Sequence, residues 1–278
     1  MTNGSSSVAL ALEPLKEPRP AAFPWGRYLR QVLPGLTFCT LLILSWELMA
    51  RWLHSPLVPG VEQVASETFR IVASGDAVTQ ISITLWRIVL GFLLAFSVAL
   101  PIGIASARFS FVHRFFEPAI VLGLTVPGLV WALLCVIWFG VSLATPVVSV
   151  ALGIAPALIL QVIQGVKSVD PDIVEMAHVY RLSRGKRLSK IWLPSLVPYL
   201  LSGARIGFSL AWKVIVLVEI FGLSDGVGYR LNSEFSMQNV EGVLAWTLSF
   251  WVGMVTLEYV FFQALERRLS YWERKARV

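Results

Sequence analysis

The sequence predicts an all-α polytopic membrane protein with six transmembrane helices and both termini cytoplasmic. Three observations lead there. Apolar residues make up 56 % of the 278 positions and charged residues only 14 %, against about 25 % charged in soluble domains, and mean hydropathy is +0.71. The apolar residues gather into runs that reach the about 20 residues a bilayer core requires. The net charge is +6, but the basic residues lie between those runs rather than on one soluble face, which speaks against a nucleic-acid binder. The same composition excludes disorder, collagen, coiled coil and a disulfide scaffold.

Residues 1–33 are polar and proline-rich and are read as a cytoplasmic tail. No cleavable signal is expected in them, because the first apolar run starts too late to be an h-region. The spans follow at 34–53, 84–107, 118–139, 144–165, 195–220 and 243–264, with a cytoplasmic tail at 265–278. Only Gly140-Val141-Ser142-Leu143 separates the third span from the fourth, so the two form a tight hairpin. With the N-terminus inside, 17 cations of loops and tails fall on the cytoplasmic side. Arg51, Arg70 and Arg230 fall outside, and Arg87, Arg205 and Lys213 lie within spans. That asymmetry follows the positive-inside rule. Cys39 and Cys135 sit inside apolar runs and read as small buried hydrophobes.

Two loops are too long to be plain turns. In the outer loop 54–82, Pro59-Gly60 opens a stretch from Val61 to Ala73 with apolar residues at Val61, Val64, Ala65, Thr68, Phe69 and Val72. That spacing fits a surface helix, with a plain connector as the alternative. The cytoplasmic loop 166–194 is richer. Asp170 caps a helix, Pro171 suits its first position, and Asp172 and Glu175 put negative charge at its positive end. The helix is expected from Pro171 to about Leu182, with Ser183-Arg184-Gly185 as a break and a basic helix from Lys186 to Trp192. A helix this short is marginal unless it packs on something. That something is either its own bundle or the groove of a soluble partner.

The segment Glu175-Met176-Ala177, then Arg181, then Ile191-Trp192-Leu193-Pro194 resembles the cytoplasmic signature of ABC importer permeases: Glu-Ala-Ala, three residues, Gly, nine residues, Ile-x-Leu-Pro. Met176 replaces an Ala, and Arg181 replaces the Gly. Gly185, four residues on, is expected to take over the turn, with the first helix longer by a turn. Gly165 to Pro171, Trp138-Phe139-Gly140, Gly203 to Gly207, Ala211-Trp212, Glu219 and Gly226 to Tyr229 resemble the nitrate/sulfonate/taurine group of these permeases. The resemblance runs from about residue 34 to the end.

The resemblance implies a type I ABC importer permease fold in the bacterial inner (plasma) membrane. It implies a second permease copy, two cytoplasmic ATP-binding subunits and a solute-binding protein as partners, with ATP driving alternating access. It implies that this chain binds no cofactor itself, ATP and magnesium residing on the partner, and carries no metal or catalytic site. It implies docking to the ATPase through Glu175, Met176, Ala177, Tyr180 and Arg181. The chain has no Gly-x4-Gly-Lys-Ser/Thr pattern, so it lacks the phosphate loop of an ATPase. Group members mostly carry small anions such as sulfonates, taurine or nitrate.

Charges inside spans are costly and need a reading. Glu47 and Arg51 read as an interfacial pair, and Arg87 can snorkel. Lys213 and Glu219 are six residues apart and do not pair within one helix. The readings left open are a pairing with Arg87, a pairing with the other protomer or, for Lys213 and Arg87, a crossing anion. Trp212, Lys213 and Arg87 are therefore the candidates for lining the pathway. Trp25, Trp52, Trp131, Trp138, Trp192 and Trp272 suit interfacial belts. Two other classes stay open on the residues alone. A self-sufficient secondary carrier or channel needs inverted repeats or a midplane carboxylate, and neither is seen. A membrane enzyme needs a catalytic cluster, yet His54, His113 and His178 fall in three separate loops.

Overall fold

The computed structural model describes residues 25–276, with side chains placed over 33–260. The expected roles of Lys16, Arg19, Arg27, Arg30, Trp25, Trp272 and the cations after residue 264 lie outside the described side chains. The chain divides into residues 1–54 and 55–278. The first unit contributes α1 (Trp25–Leu53). On it Arg51 Nε donates to Glu47 Oε1 at 2.7 Å, and apolar side chains such as Leu48 and Trp52 are exposed. Cys39 is exposed there too, contrary to the sequence reading, whereas Cys135 is buried.

The second unit contains ten α-helices among the described residues: α2 (Val61–Ala73), α3 (Asp76–Arg108), α4 (Ser110–Thr125), α5 (Gly128–Phe139), α6 (Ala144–Lys167), α7 (Pro171–Val179), α8 (Arg184–Arg187), α9 (Leu193–Gly222), α10 (Val227–Ser236) and α11 (Val240–Ala276). Among the described residues four helices, from α1, α3, α6 and α11, are long and apolar enough to cross a membrane, or six if each bent pair counts as one span.

α6 is the centre of the second unit. Val150, Ile154, Leu158 and Val162 on it are buried, and α3 and α9 pack on either side of them. The reason is side-chain size. α3 presents Gly91, Ala95, Ala99 and Gly103 at four-residue spacing, and α9 presents Gly203, Gly207 and Ala211. Small residues in register let backbones approach closely, the usual basis of helix packing in lipid. A Cβ on Gly91 would lie 2.6 Å from Val150 Cβ, so the α3–α6 seam closes only because that atom is missing.

The third expected span is not one straight helix. α4 and α5 meet at 101° across Val126-Pro127. Pro127 has no N–H to give, and it holds Val126 extended at φ −69°, ψ 123°. α9 and α10 likewise meet at 52°. The outer-loop helix forms from Val61 to Ala73 as the spacing predicts. Gly60 N donates to the Gln63 side chain at 2.9 Å at its start, and it buries Val64 and Ile71, packing on α11. On its exposed side, the hydrogen bond from Arg70 holds the Glu67 carboxyl below its usual range.

The segment after α6 corrects the sequence reading. Asp170 does cap α7, accepting from Asp172 N at 2.9 Å. The helix stops at Val179, not Leu182. Arg181 N returns to His178 O and Leu182 N to Ala177 O, both at 3.0 Å, the paired bonds of a Schellman ending. Arg181 itself takes the left-handed conformation, φ +50°. The turn therefore sits where the family's glycine would be, and Gly185 lies inside α8 with ordinary helical backbone. The basic helix starts at Arg184 and runs through a π-helical turn, Leu188–Trp192, into α9.

This geometry sets the expected sign of two substitutions. Left-handed backbone costs a side-chain-bearing residue about 1–2 kcal/mol, so Arg181→Gly should stabilise the turn. Nothing lies within 4 Å of a Cβ built on Gly185, so Gly185→Ala should gain about 0.5–1 kcal/mol of helix propensity. Each should raise the thermal midpoint of the detergent-purified protein by about 2–4 °C per kcal/mol. A drop on Gly185→Ala would return the turn to Gly185.

Candidate functional site

The α10 end of the second unit holds a buried polar cluster. α10 has no side-chain cap of its own, and its first N–H groups point back at α3 and α9. Gly226 N donates to Gln80 Oε1 at 2.8 Å, Val227 N to Thr84 Oγ1 at 3.0 Å and Gly228 N to Glu219 Oε2 at 3.0 Å. Thr84 Oγ1 lies 3.0 and 2.9 Å from the two oxygens of Glu219. The positive end of a helix thus faces a carboxylate. Glu219 is fully buried. Its charge is balanced by Arg87 Nη1, which donates to Glu219 Oε1 at 2.9 Å and to Asp225 O at 3.0 Å, while Arg87 Nη2 donates to the Asp225 carboxylate. Outside this core, Arg230 Nη2 donates to Asp76 Oδ1 at 3.1 Å, and the Arg230 guanidinium lies 5.9 Å from the Trp246 ring centroid.

Two glycines are required here. Gly226 has φ +97°, and a Cβ on it would strike the Glu219 carboxylate. A Cβ on Gly228 would strike Val216 O and the Glu219 side chain. The pairing of Glu219 with Arg87, one of the alternatives the sequence left open, is the one formed, while Gln80, Thr84 and Asp225 were missed. A signal was available: Asp76, Gln80, Thr84 and Arg87 recur at helical spacing along one face of an otherwise apolar helix. Glu219 is the most completely buried charge among the described residues.

The three pathway candidates separate. Arg87 is 9 % exposed and committed to two carboxylates. Trp212 is half-buried, edge-on to Phe250 of α11 at 6.0 Å between ring centroids. Lys213 is exposed, its Nζ 5.7 Å from the Trp212 ring centroid, with no carboxylate partner among the described residues.

At the α7 end, the docking candidates also separate. Ile173, Met176, Val179 and Tyr180 are exposed at 44, 52, 75 and 75 %. Those apolar side chains cover one broad side of α7. Ala177 is fully buried, so it does not join that surface. Glu175 is exposed and borders an open cleft of about 500 Å³ with Arg108, Val174, His178 and Trp192. Arg108 lies 5.9 Å from the Trp192 ring centroid, and Arg187 Nη1 is 3.1 Å from His178 Nδ1, which ties α7 to α8. Arg181 is exposed on the turn.

The family model described as "binding-protein-dependent transport system inner membrane component" matches residues 99–271. The chain belongs to that family. Its relatives include the putative aliphatic sulfonates transport permease of Bacillus subtilis, 27 % identical over 86 % of this chain and 87 % of that protein. The taurine transport system permease of Escherichia coli is 30 % identical over 87 and 90 %. The nitrate import permease of Synechococcus elongatus is 26 % identical over 90 and 94 %. In fold, the permease is similar to a chain of the MetNI methionine ABC transporter in an inward-facing conformation, with a TM-score of 0.57 over 69 % of this chain and 95 % of that one, at 17 % identity. The permease is thus an inner-membrane transport component, and ATP hydrolysis belongs to a separate subunit. The self-sufficient carrier and the membrane enzyme fall with that membership.

Proposed function

We propose that two copies of this permease form the translocation path for a small anionic solute, with six spans per copy and both termini cytoplasmic. A solute-binding protein delivers the solute, and two ATPase subunits bind the paired α7 helices. The observation that carries this reading is α7: a capped nine-residue helix, set between two long apolar helices, with Ile173, Met176, Val179 and Tyr180 left exposed. A helix of nine residues gains little from its own backbone, so an uncovered apolar side supports a partner's groove as its seat. The anion reading is supported by the relatives, which are named as permeases for aliphatic sulfonates, taurine and nitrate. Taurine itself bears a sulfonate.

A binding protein that closes on solute and an ATPase that closes on ATP bias two packings of one bundle. The test is reconstitution. The permease alone in liposomes should move no solute under an ion gradient. Together with its ATPase subunit it should hydrolyse ATP, and the loaded binding protein should raise that rate. Ion-driven uptake by the permease alone would reject the proposal.

A further inference from the structure

We infer that α9 carries a water-lined stripe for anions, built from Ser202, Ser209 and Lys213, in which Lys213 sets charge selectivity. The inference rests on the reading above that the chain lines a path for anions, and it names the side chains that meet them.

α9 has two unlike faces. Gly203, Gly207, Ala211, Val214, Val218 and Glu219 are buried against the bundle. On the other side Ser202, Ile206, Ser209 and Lys213 follow at intervals of four, three and four residues. At about 100° per residue these intervals return to one line within about 40°. Ser202, Ile206 and Lys213 are exposed and Ser209 is partly so. From Ser202 to Lys213 the stripe climbs about 16 Å at 1.5 Å per residue, roughly half of a bilayer core of about 30 Å.

The polar atoms along that line make no hydrogen bond or ion pair among the described residues, and Lys213 Nζ meets only the Trp212 ring. Serine and threonine hydroxyls in these helices usually return to their own backbone: Ser97 donates to Leu94 O, Ser195 to Ile191 O and Ser249 to Ala245 O. Among the described residues Ser202 and Ser209 make no such bond, and Lys213 has no ion pair. The neighbouring cation, Arg205, is turned to Glu258 at 3.8 Å, which leaves the ammonium of Lys213 as the open charge of the stripe. An unpaired ammonium at mid-span is costly against lipid. Hydroxyls that donate and an ammonium that attracts are what a partly dehydrated oxyanion requires along its way, and polar pore linings select by charge on the same grounds.

The test reads the local potential directly and needs no knowledge of the solute. In the full-length permease with Cys39→Ser and Cys135→Ala, assembled with its ATPase subunit in proteoliposomes, Ser209→Cys is reacted with two water-borne methanethiosulfonates. One carries an ethylsulfonate anion and the other a trimethylammonium cation. With Lys213 one turn away, the anionic reagent should be favoured. Lys213→Met or Lys213→Gln should lower the anion-to-cation rate ratio about five- to tenfold, the size expected for one unit charge at about 6–8 Å in a partly polar medium. Lys213→Arg should retain the ratio. A Ser209→Cys thiol that reacts with neither reagent would place the stripe against lipid or protein and overturn the inference, as would an unchanged ratio in both neutral variants. ATP hydrolysis stimulated by the binding protein is measured on the same vesicles. Its absence with a shifting ratio would reject the importer reading and leave the stripe standing; its presence with a fixed ratio would do the reverse.

Discussion

Glu219→Ala should destabilise the permease by about 3–5 kcal/mol, the usual cost of stripping one partner from a buried ion pair. The deletion leaves Arg87 facing only Asp225. It also leaves Gly228 N without an acceptor and Thr84 Oγ1 without one for its proton. Glu219 is fully buried, so both groups lose their partner inside the bundle. The expected readout is a thermal midpoint lower by on the order of 10 °C. Glu219→Gln, which keeps an acceptor without the charge, should fall between. Asp225→Asn should cost far less, because the Asp225 side chain is 47 % exposed and water can replace it. The decisive variant is Arg87→Met with Glu219→Leu. Removing both charges removes the unpaired one, so the double variant should be more stable than either single change. A double variant as unstable as the sum of the two would show that the pair does not bind α3 to α9.

Met176→Asp or Ile173→Asp should leave the permease folded and inserted, and should abolish ATP hydrolysis coupled to the binding protein. Both side chains are exposed, so a carboxylate there costs the isolated chain little. In a partner's apolar groove the same carboxylate is desolvated without a mate, and that is worth several kcal/mol. Glu175→Ala should weaken association with the ATPase subunit, through loss of a partner charge that is partly desolvated on docking, while Asp172→Ala should do much less. Ala177→Asp is the contrast. Ala177 is fully buried, so this change should lower yield and thermal midpoint instead of selectively uncoupling. Co-purification with the ATPase subunit and the ATP hydrolysis rate separate these outcomes. Normal coupling in both Met176→Asp and Glu175→Ala would make α7 ordinary scaffold.

The α7 segment also shows how far local rules reach. Asp170, Pro171 and Asp172 state the start of α7 in the sequence, because a cap acts on its own backbone within three residues. Its end was misplaced. Arg181 carries a penalty in the left-handed region, so propensity pointed to Gly185, yet the backbone turned at Arg181. Three returning hydrogen bonds, from Tyr180 to Met176 O, Arg181 to His178 O and Leu182 to Ala177 O, hold that conformation. Their combined gain outweighs about 1–2 kcal/mol of strain. The break at Val126-Pro127 was legible in the proline but not its size, since a missing N–H permits a bend and neighbouring helices set its angle.

Membrane class, family and the capped start of α7 were decided by the sequence alone, since hydropathy, charge asymmetry and motif spacing are each local sums. Only the tertiary structure decided the partners of the ionisable groups. Arg87 and Glu219 stand 132 residues apart, and Asp225 lies in a turn that no periodicity marks. What joins them is the elbow between α9 and α10, which turns three backbone N–H groups inward at Gly226, Val227 and Gly228. Packing elsewhere in the fold set Trp212 against Phe250, buried Ala177 and left Lys213 exposed. In a helix of uniform hydropathy the sequence specifies that a charge is present. Its energy depends on which atoms approach within about 4 Å, and the folded chain sets that distance.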